Sequence, residues 1–220
     1  MDWTATLLTL KLASCTTAIL FVIGLPLAYW LATTTRRGKF LIEALVALPL
    51  VLPPTVLGFY LLMLAGPNSP IGRWYESVAG HLLPFSFQGI LLGSVLYNTP
   101  FAVRPFTSAF AAVDRRLVEA SWCLGMSRSA TFFRLIFPLS WTGILTGLVL
   151  TFAHTVGEFG VVLMLGGNIP GVTRTISIAI YDNVQALDYV TASRSAALLA
   201  GFAFSVLALT YALQRRTLPL

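Results

Sequence analysis

The chain has 220 residues, of which 57% are hydrophobic and only 10% are charged. A soluble domain carries roughly 25% charged residues and the mean hydropathy here is +0.83, so the composition excludes a solvated globular domain and an intrinsically disordered chain. The net charge of +6 does not indicate a nucleic-acid partner, because basic residues in so apolar a chain are typical of the cytoplasmic face of a membrane protein.

Long stretches without charged residues predict about five membrane spans. A transmembrane helix needs about 20 apolar residues, and the qualifying stretches place spans near 12–33, 43–65, 87–109, 139–166 and 194–213. Residues 71–84 are too few and too polar to cross, so they predict an interfacial helix, with a sixth span as the alternative. We therefore predict an all-α fold, a polytopic membrane helix bundle in which residues 1–220 form a single transmembrane domain.

Proline interrupts the second predicted span. Pro49, Pro53 and Pro54 lie within six residues, and each removes a backbone donor. A helix at membrane depth tolerates this only where protein or water bonds to the backbone carbonyls that have lost their N–H partners. The segment should therefore be kinked or partly unwound. It is either part of a solute path or a structural kink. The third span similarly has the polar residues Asn98 and Thr99 before a proline, and Thr55 follows the prolines of the second.

The ionisable residues Arg104, His154 and Glu158 fall well inside the predicted spans, away from their first residues. Ionisable groups at membrane depth are functional candidates by default. Arg104 lies near the inner end of its span, where it can reach the interface, and Glu158 can pair either with His154 or with Arg104. The spacing from His154 to Glu158 is not the His-Glu-x-x-His of a zinc protease, and we predict no metal site and no catalytic set.

Two small-xxx-small patterns occur in the predicted spans, Gly89 with Gly93 and Gly143 with Gly147. Such patterns let helix backbones approach closely. They indicate either packing within the chain or a dimer face.

The placement of Lys and Arg predicts the orientation in the membrane. Nine basic residues fall on the side that holds the connections 34–42 and 110–138 and the C-terminal end, and four fall on the opposite side. The N-terminus is therefore predicted outside and the C-terminus in the cytoplasm.

The connection 110–138 predicts a compact helical knob on the cytoplasmic face. Gly125 suits a left-handed helix end, Ser127 suits the N-cap of a second helix, and Pro138 should stop that helix before the fourth span begins. Apolar residues of the connection should anchor the knob: Val118, Trp122, Phe132, Phe133 and Ile136. A knob of this kind is suited to docking a cytoplasmic partner.

The same connection resembles the EAA loop in the permease subunits of prokaryotic ABC importers. That loop reads Glu-Ala-Ala, three residues, Gly, nine residues and Ile-x-Leu-Pro. The matching residues here, at the same spacing, are Glu119, Ala120, Ser121, Gly125, Leu135 and Pro138. The resemblance implies that residues 110–138 form the coupling element that inserts into a cleft on an ATPase subunit.

The resemblance extends over nearly the whole chain to the molybdate-type permeases, through the segments 48–58, 66–72, 157–160 and 167–176. It implies the type I permease fold of ABC importers and a homodimer in the bacterial cytoplasmic (inner) membrane. It also implies two cytoplasmic ABC ATPase subunits and an extracytoplasmic molybdate-binding protein. Neither Lys11 nor Lys39, the two lysines, stands in a phosphate-binding G-x-x-x-x-G-K-[ST] motif. We therefore predict no cofactor here and no enzyme activity, with ATP and Mg bound by the partner ATPase.

The expected function is molybdate import by alternating access. A strong fixed site would trap the dianion, so we expect neutral donors along the path beside the prolines: Thr55, Asn98, Thr99 and Thr155. The outer connections 66–86 and 167–193 would dock the binding protein, with Arg73 and Arg174 as contacts. The alternatives are a sulfate or tungstate permease, and an ATP-independent channel or secondary transporter in which His154 and Glu158 relay protons.

Overall fold

The structure is a computed structural model that describes residues 2–217, and within this range all regular elements are helical. The helices are α1 (Trp3–Thr33), α2 (Lys39–Val51), α3 (Pro54–Ala65), α4 (Pro70–Ala79), α5 (Phe87–Ala111), α6 (Arg115–Cys123), α7 (Arg128–Thr131), α8 (Phe137–Gly157), α9 (Gly160–Gly166), α10 (Ile176–Gln185) and α11 (Tyr189–Thr217). A π-helical turn, Phe132–Ile136, joins α7 to α8. The predicted all-α class is confirmed.

Helices α1, α5 and α8 form the centre of the bundle. At one end of it, the ring of Tyr29 in α1 lies 5.5 Å from that of Phe110 in α5 and 4.9 Å from that of Phe132, just before α8. At the other end, the ammonium of Lys11 lies 4.5 Å from the ring centroid of Phe87, the first residue of α5. The start of α1 thus lies beside the start of α5, and the two helices also lie together at their ends. They run alongside each other, and their apolar side chains form a buried core between them.

Helices α1 and α5 run parallel to each other, and α8 runs antiparallel to both. The antiparallel direction of α8 follows from its contacts with α5, since the hydroxyl of Ser140 donates to the carbonyl of Ala109 at 3.2 Å, whereas His154 contacts Asn98 much earlier in α5. The ends of α1 and α5 and the start of α8 thus lie together. This common end also carries the connection 110–138, as expected for one face of a membrane protein.

Glycines let α5 and α8 approach closely. A Cβ on Gly143 would lie 2.5 Å from the Cβ of Ala109, and a Cβ on Gly147 would lie 2.7 Å from the ring of Phe106. In the same way, a Cβ on Gly93 would lie 2.6 Å from a leucine side chain of α9. Both small-xxx-small patterns are therefore used for packing within the chain.

Three helical stretches of the described residues are long and apolar enough to cross a membrane: Trp3–Thr33, Arg128–Gly157 and Tyr189–Ala212. The pair α2 and α3 makes a fourth if its two halves, bent by 112°, count as one broken span. Helix α5 has 25 residues, a length of roughly 35–40 Å, but its polar residues lower its mean hydropathy. Length and hydropathy thus account for four of the five predicted spans, and the span at 87–109 stays a prediction.

The break between α2 and α3 has a local cause. Pro53 and Pro54 remove two successive backbone donors, and a residue before proline is driven to an extended conformation, which Leu52 adopts with ψ 135°. The predicted interruption of the second span is therefore present, as a sharp bend. Pro49 lies inside α2 instead of at the break.

A second break separates α8 from α9. Helix α8 ends at Gly157, Glu158 is extended with ψ 135°, and α9 begins at Gly160. The two breaks face each other, because a Cβ on Gly160 would lie 2.8 Å from the ring of Pro54. Span four is thus also interrupted, which the sequence analysis did not predict.

Pro138 does not stop the second helix of the knob. The chain is helical from Arg128 to Gly157, so the predicted stop before span four is wrong. The π-helical turn explains the difference, because the N–H of Phe137 bonds to the carbonyl of Phe132, five residues back. Pro138 then falls in the first turn of α8, where its missing donor is tolerated.

Helix α4 occupies the connection for which an interfacial helix was predicted. Ser69 caps it by accepting a hydrogen bond from the N–H of Gly72 at 2.7 Å. Ile71, Trp74 and Val78 are exposed and share one face by their spacing. With ten residues the helix is too short to cross a bilayer.

Candidate functional site

A cleft of about 530 Å³ opens where the two helix breaks meet. Its walls come from the first turn of α3, from α5 and from the α8–α9 break. The lining residues are Pro54, Thr55, Tyr97, Ala153, His154, Gly157, Glu158, Phe159 and Gly160. Among the predicted site residues, the cleft therefore brings together Pro54, Thr55, His154 and Glu158.

Asn98 joins the two ionisable residues of the cleft. Its Nδ2 donates to the carbonyl of Ser94 at 2.8 Å and to Oε2 of Glu158 at 2.9 Å. Its Oδ1 lies 2.8 Å from Nδ1 of His154. Asn98 is fully buried and Glu158 is 4% exposed, so one amide holds a buried carboxylate and an imidazole in a single network. His154 and Glu158 are therefore bridged through Asn98 and not paired directly.

Aromatic rings of α5 hold the imidazole of His154 in place. It stacks on Phe101 with ring centroids 3.9 Å apart and an interplanar angle of 23°, and the ring of Tyr97 lies 5.3 Å away. Because Nδ1 faces Asn98, Nε2 is the nitrogen that remains to face the cleft. The geometry fixes both the plane of the ring and its hydrogen-bonding direction.

Two of the predicted path residues make hydrogen bonds within their own helices. The hydroxyl of Thr99 donates to the carbonyl of Val95, and that of Thr155 to the carbonyl of Thr151, both at 2.8 Å. Thr155 is buried and Thr99 is half-buried. Neither is among the residues that line the cleft.

Arg104 lies on a different cleft, of about 370 Å³, between α1, α2 and α5. Glu43 lines the same cleft and forms an ion pair with Lys39 at 3.4 Å. Arg104 is exposed, as expected of a side chain that reaches towards the membrane surface. The structure therefore does not bring Arg104 to Glu158.

The knob has the predicted turn. Gly125 has φ +83°, the left-handed conformation that favours glycine, and the side chain of Ser127 accepts a hydrogen bond in the first turn of α7. Ser121 is buried; its hydroxyl donates to the carbonyl of Val118 at 2.7 Å and lies 2.9 Å from that of Thr131. This contact ties α6 to α7.

The other residues matched to the EAA loop lie nearer the surface. Glu119 is exposed and bonds to Arg115, one turn earlier, at 2.9 Å. Ala120 and Pro138 are exposed and Leu135 is half-buried. These residues shape the outside of the knob, whereas Ser121 holds it together.

Two of the predicted anchors of the knob are wrong. Ile136 is buried, but Trp122 and Phe133 are 48% and 69% exposed. Leu117 and the 84% exposed Leu124 are further exposed apolar side chains of the knob, and we call these four residues together the knob patch. Trp122 and Phe133 therefore face outwards instead of inwards, and exposed large apolar side chains are typical of interaction sites.

The two basic residues predicted to dock the binding protein differ in their surroundings. Arg174 is half-buried and donates to Asp182 at 2.8 Å, and its Nε lies 3.9 Å from the carboxylate of Asp2. It thus ties the connection after α9 to α10 and to the start of α1. Arg73, on α4, is exposed and has the accessibility that a docking residue needs.

The sequence analysis missed Ser94, Tyr97 and Phe101, which complete the site around Asn98. The missed signal is helical spacing, because residues three and four positions apart share a face. Asn98 was singled out, and its neighbours at these spacings in α5 are Ser94 and Phe101. The role of Asn98 as a bridge to α8 had no signal in the sequence.

Comparison with known proteins identifies the family to which this fold belongs. Residues 24–218 match the family model described as binding-protein-dependent transport system inner membrane component. The chain is 49% identical to the molybdenum transport system permease protein ModB of Azotobacter vinelandii, over 97% of this chain and 95% of that one. It is 38% identical to the protein of the same name in Escherichia coli K12, over 84% and 80%. A probable sulfate transport system permease protein of Prototheca wickerhamii is 32% identical over 84% and 72%.

Solved structures share the fold. The bacterial alginate ABC transporter, in complex with an alginate pentasaccharide-bound periplasmic protein, matches with a TM-score of 0.79 and 17% identity, over 97% of this chain and 78% of that one. An inward-facing MetNI methionine ABC transporter matches with a TM-score of 0.71 and 17% identity, over 98% and 95%. The chain therefore belongs to the family of binding-protein-dependent transport system inner membrane components, and it is a multi-pass permease subunit of an ABC transporter.

Proposed function

We propose that this chain forms, as a homodimer, the translocation path of an ATP-driven molybdate importer that works by alternating access. The observation that supports molybdate as the substrate is the 49% identity, over nearly the full length, to a molybdenum permease. The chain itself is not catalytic, and two ATPase subunits supply the energy. A separate extracytoplasmic protein delivers molybdate to the outer face.

The knob patch supports the coupling role. Leu117, Trp122 and Leu124 precede the turn at Gly125 and are all about half exposed or more. Large apolar side chains exposed in this number are typical of an interaction surface. Burial in a cleft of an ATPase subunit would remove this apolar area from water. The hydroxyl contact between Ser121 and Thr131 makes the knob rigid enough to transmit motion to α8, which continues from it without interruption.

The cleft at the two helix breaks supports the path. It lies between interrupted helices, where irregular backbone is tolerated in a membrane because it lines a cavity. The cleft is open in the single chain, and a second copy facing it would enclose a path with the same residues on both sides. We place Pro54 and Thr55 on this path, with Pro49, Pro53, Asn98, Thr99 and Thr155 behind its walls.

A proton-coupled transporter without ATPases is disfavoured by the bridge at Asn98. A relay between His154 and Glu158 needs a group between them that can take and pass a proton, and a carboxamide does not do so at ordinary pH. Sulfate and tungstate remain the rival substrates, since both are tetrahedral dianions and the cleft holds no large set of fixed donors to select among them. Selectivity then belongs mainly to the binding protein.

The test is uptake of radiolabelled molybdate by proteoliposomes that contain this chain, its ATPase and its binding protein, with ATP on the ATPase side. We expect uptake that needs all three proteins and resists excess sulfate. Preferential competition by sulfate would change the substrate and keep the mechanism. Uptake by this chain alone, without ATP, would overturn the proposal.

A further inference from the structure

Few side-chain hydrogen-bond donors of the described residues line the cleft. Both Nδ2 hydrogens of Asn98 are used, on Ser94 and Glu158, and the hydroxyls of Thr99 and Thr155 donate within their own helices. Glu158 is a carboxylic group that repels an anion when ionised. Among the polar side chains lining the cleft, Thr55, Tyr97 and His154 therefore remain to contact an anion.

The hydrogen positions on His154 follow from its partners. The carbonyl of Ser94 can only accept, so the Asn98 atom 2.8 Å from it must be Nδ2. Oδ1 of Asn98 then faces His154, and since that oxygen can only accept, Nδ1 of His154 carries the hydrogen. A neutral imidazole has one N–H, so its Nε2 presents a lone pair to the cleft.

We propose that Nε2 of His154 is the contact through which the cleft holds the transported oxyanion, and that the ring makes this contact as an imidazolium. The inference rests on the proposed function. A tetrahedral dianion offers acceptors alone, so a neutral ring with its lone pair on Nε2 would repel it. When a proton from water in the cleft adds to Nε2, the ring donates to an oxygen of the anion. The proton returns to water when the anion leaves, and no net proton is carried.

Glu158 makes this contact weak enough for transport. Its carboxylate accepts from the amide that also holds Nδ1 of His154, so a negative group stands one side chain away from the positive ring. When it is ionised, the carboxylate balances the positive charge of the ring and keeps the net charge of the site low. The dianion is therefore contacted but not trapped, which conduction requires.

Other titratable groups around His154 are few within residues 2–217. Tyr97 of α5 and Glu158 line the same cleft, whereas α3 presents Pro54 and Thr55, which do not titrate. Helix α10 approaches α8 through Ser177, and α11 does so through Phe202. On the α1 side, Lys11 lies over Phe87 and Asp2 lies near Arg174. Glu158 and the ring of His154 are thus the groups of the cleft whose charge can change over the pH range in which imidazole titrates, and the His154 variants separate the two.

The test is the pH profile of ATP-driven molybdate uptake in the three-protein proteoliposomes, with equal pH on both sides. The variants are His154→Gln, which keeps a neutral N–H near the position of Nε2, and His154→Leu, which keeps none. His81→Leu is the matched control, because His81 is the other of the two histidines and is exposed outside the cleft. Elution of each variant as the wild-type oligomer in detergent checks folding.

We expect wild-type uptake to fall as the pH is raised through the range in which an imidazolium ring loses its proton. His81→Leu should keep this slope. His154→Gln should transport with a flat profile over the same range, and His154→Leu should be about tenfold slower at pH 6.

A wild-type profile without the slope overturns the inference, as does a folded His154→Gln that keeps it or a His154→Leu with wild-type rate. Absence of ATP-dependent molybdate uptake by the wild type would instead overturn the proposed function, so the two failures are distinguishable.

Discussion

At the scale of single residues, Asn98 has the largest expected effect on stability. It donates to Oε2 of the buried Glu158 carboxylate and orients His154, so Asn98→Ala leaves that buried oxygen without its donor at a cost of about 1–3 kcal/mol. We expect a lower midpoint of thermal unfolding in detergent. Glu158→Gln should be milder, because a glutamine oxygen can still accept from Nδ2 of Asn98. Thr99→Val is the control, and an equal loss in all three variants would contradict the bridging role.

Gly125 is the residue at which the turn of the knob depends on glycine. Its φ of +83° disfavours any side chain, although a Cβ would meet nothing within 4 Å, so Gly125→Ala should cost about 1 kcal/mol through backbone strain. We expect reduced coupling, measured as molybdate imported per ATP hydrolysed. Gly38→Ala is matched to it, because Gly38 is equally open but has φ −77°. Equal effects of the two changes would rule out strain as the cause.

At the scale of helices, the contact between α5 and α8 sets the position of the cleft. A Cβ on Gly147 would lie 2.7 Å from the ring of Phe106 and 3.2 Å from the carbonyl of Ala102, and such overpacking costs about 1–3 kcal/mol. Gly147→Ala should therefore lower the unfolding midpoint. Gly201→Ala in α11, where nothing lies within 4 Å, should leave it unchanged. A Gly147→Ala protein with wild-type stability would mean that the helices are not packed this closely.

Sequence patterns predict helices better than they predict where helices break. Pro53 and Pro54 predict the first break because each lacks a backbone donor, whereas the break at Glu158 lies within a Gly-Glu-Phe-Gly segment that has no proline. Pro138 gives the opposite error, since the π-helical turn absorbs a proline that locally reads as a stop. Trp122 and Phe133 were misplaced because an apolar residue for docking and one for anchoring look alike in a sequence.

At the scale of the whole molecule, the two predicted docking residues of the outer face should behave differently. Arg73→Glu changes an exposed side chain of α4, so we expect weaker binding of the binding protein by several-fold and no change in the unfolding midpoint. Arg174→Glu places a carboxylate beside Asp182 and Asp2, so it should lower the unfolding midpoint. Affinity measured at a series of salt concentrations checks the first effect, and unchanged affinity would remove Arg73 as a contact.

The orientation of the whole chain can be read from its two native cysteines. Cys123 is exposed at the end of α6 in the knob, and Cys15 is half-buried in α1. If the knob faces the cytoplasm, a membrane-impermeant maleimide added to intact cells should leave Cys123 unlabelled. The same reagent should label it in inverted vesicles. Cys123→Ser is the control that assigns the signal.

Labelling of Cys123 can also test whether an ATPase subunit docks on the knob patch. Cys123 adjoins Trp122 and Leu124 of the knob patch, so an ATPase subunit seated on the patch should slow the reaction of Cys123 in inverted vesicles, and its removal should restore the rate. Labelling of Cys123 in intact cells would reverse the orientation predicted from nine basic residues against four. Labelling in inverted vesicles at the same rate with and without the ATPase would keep the orientation but place the docking surface elsewhere than at the knob patch.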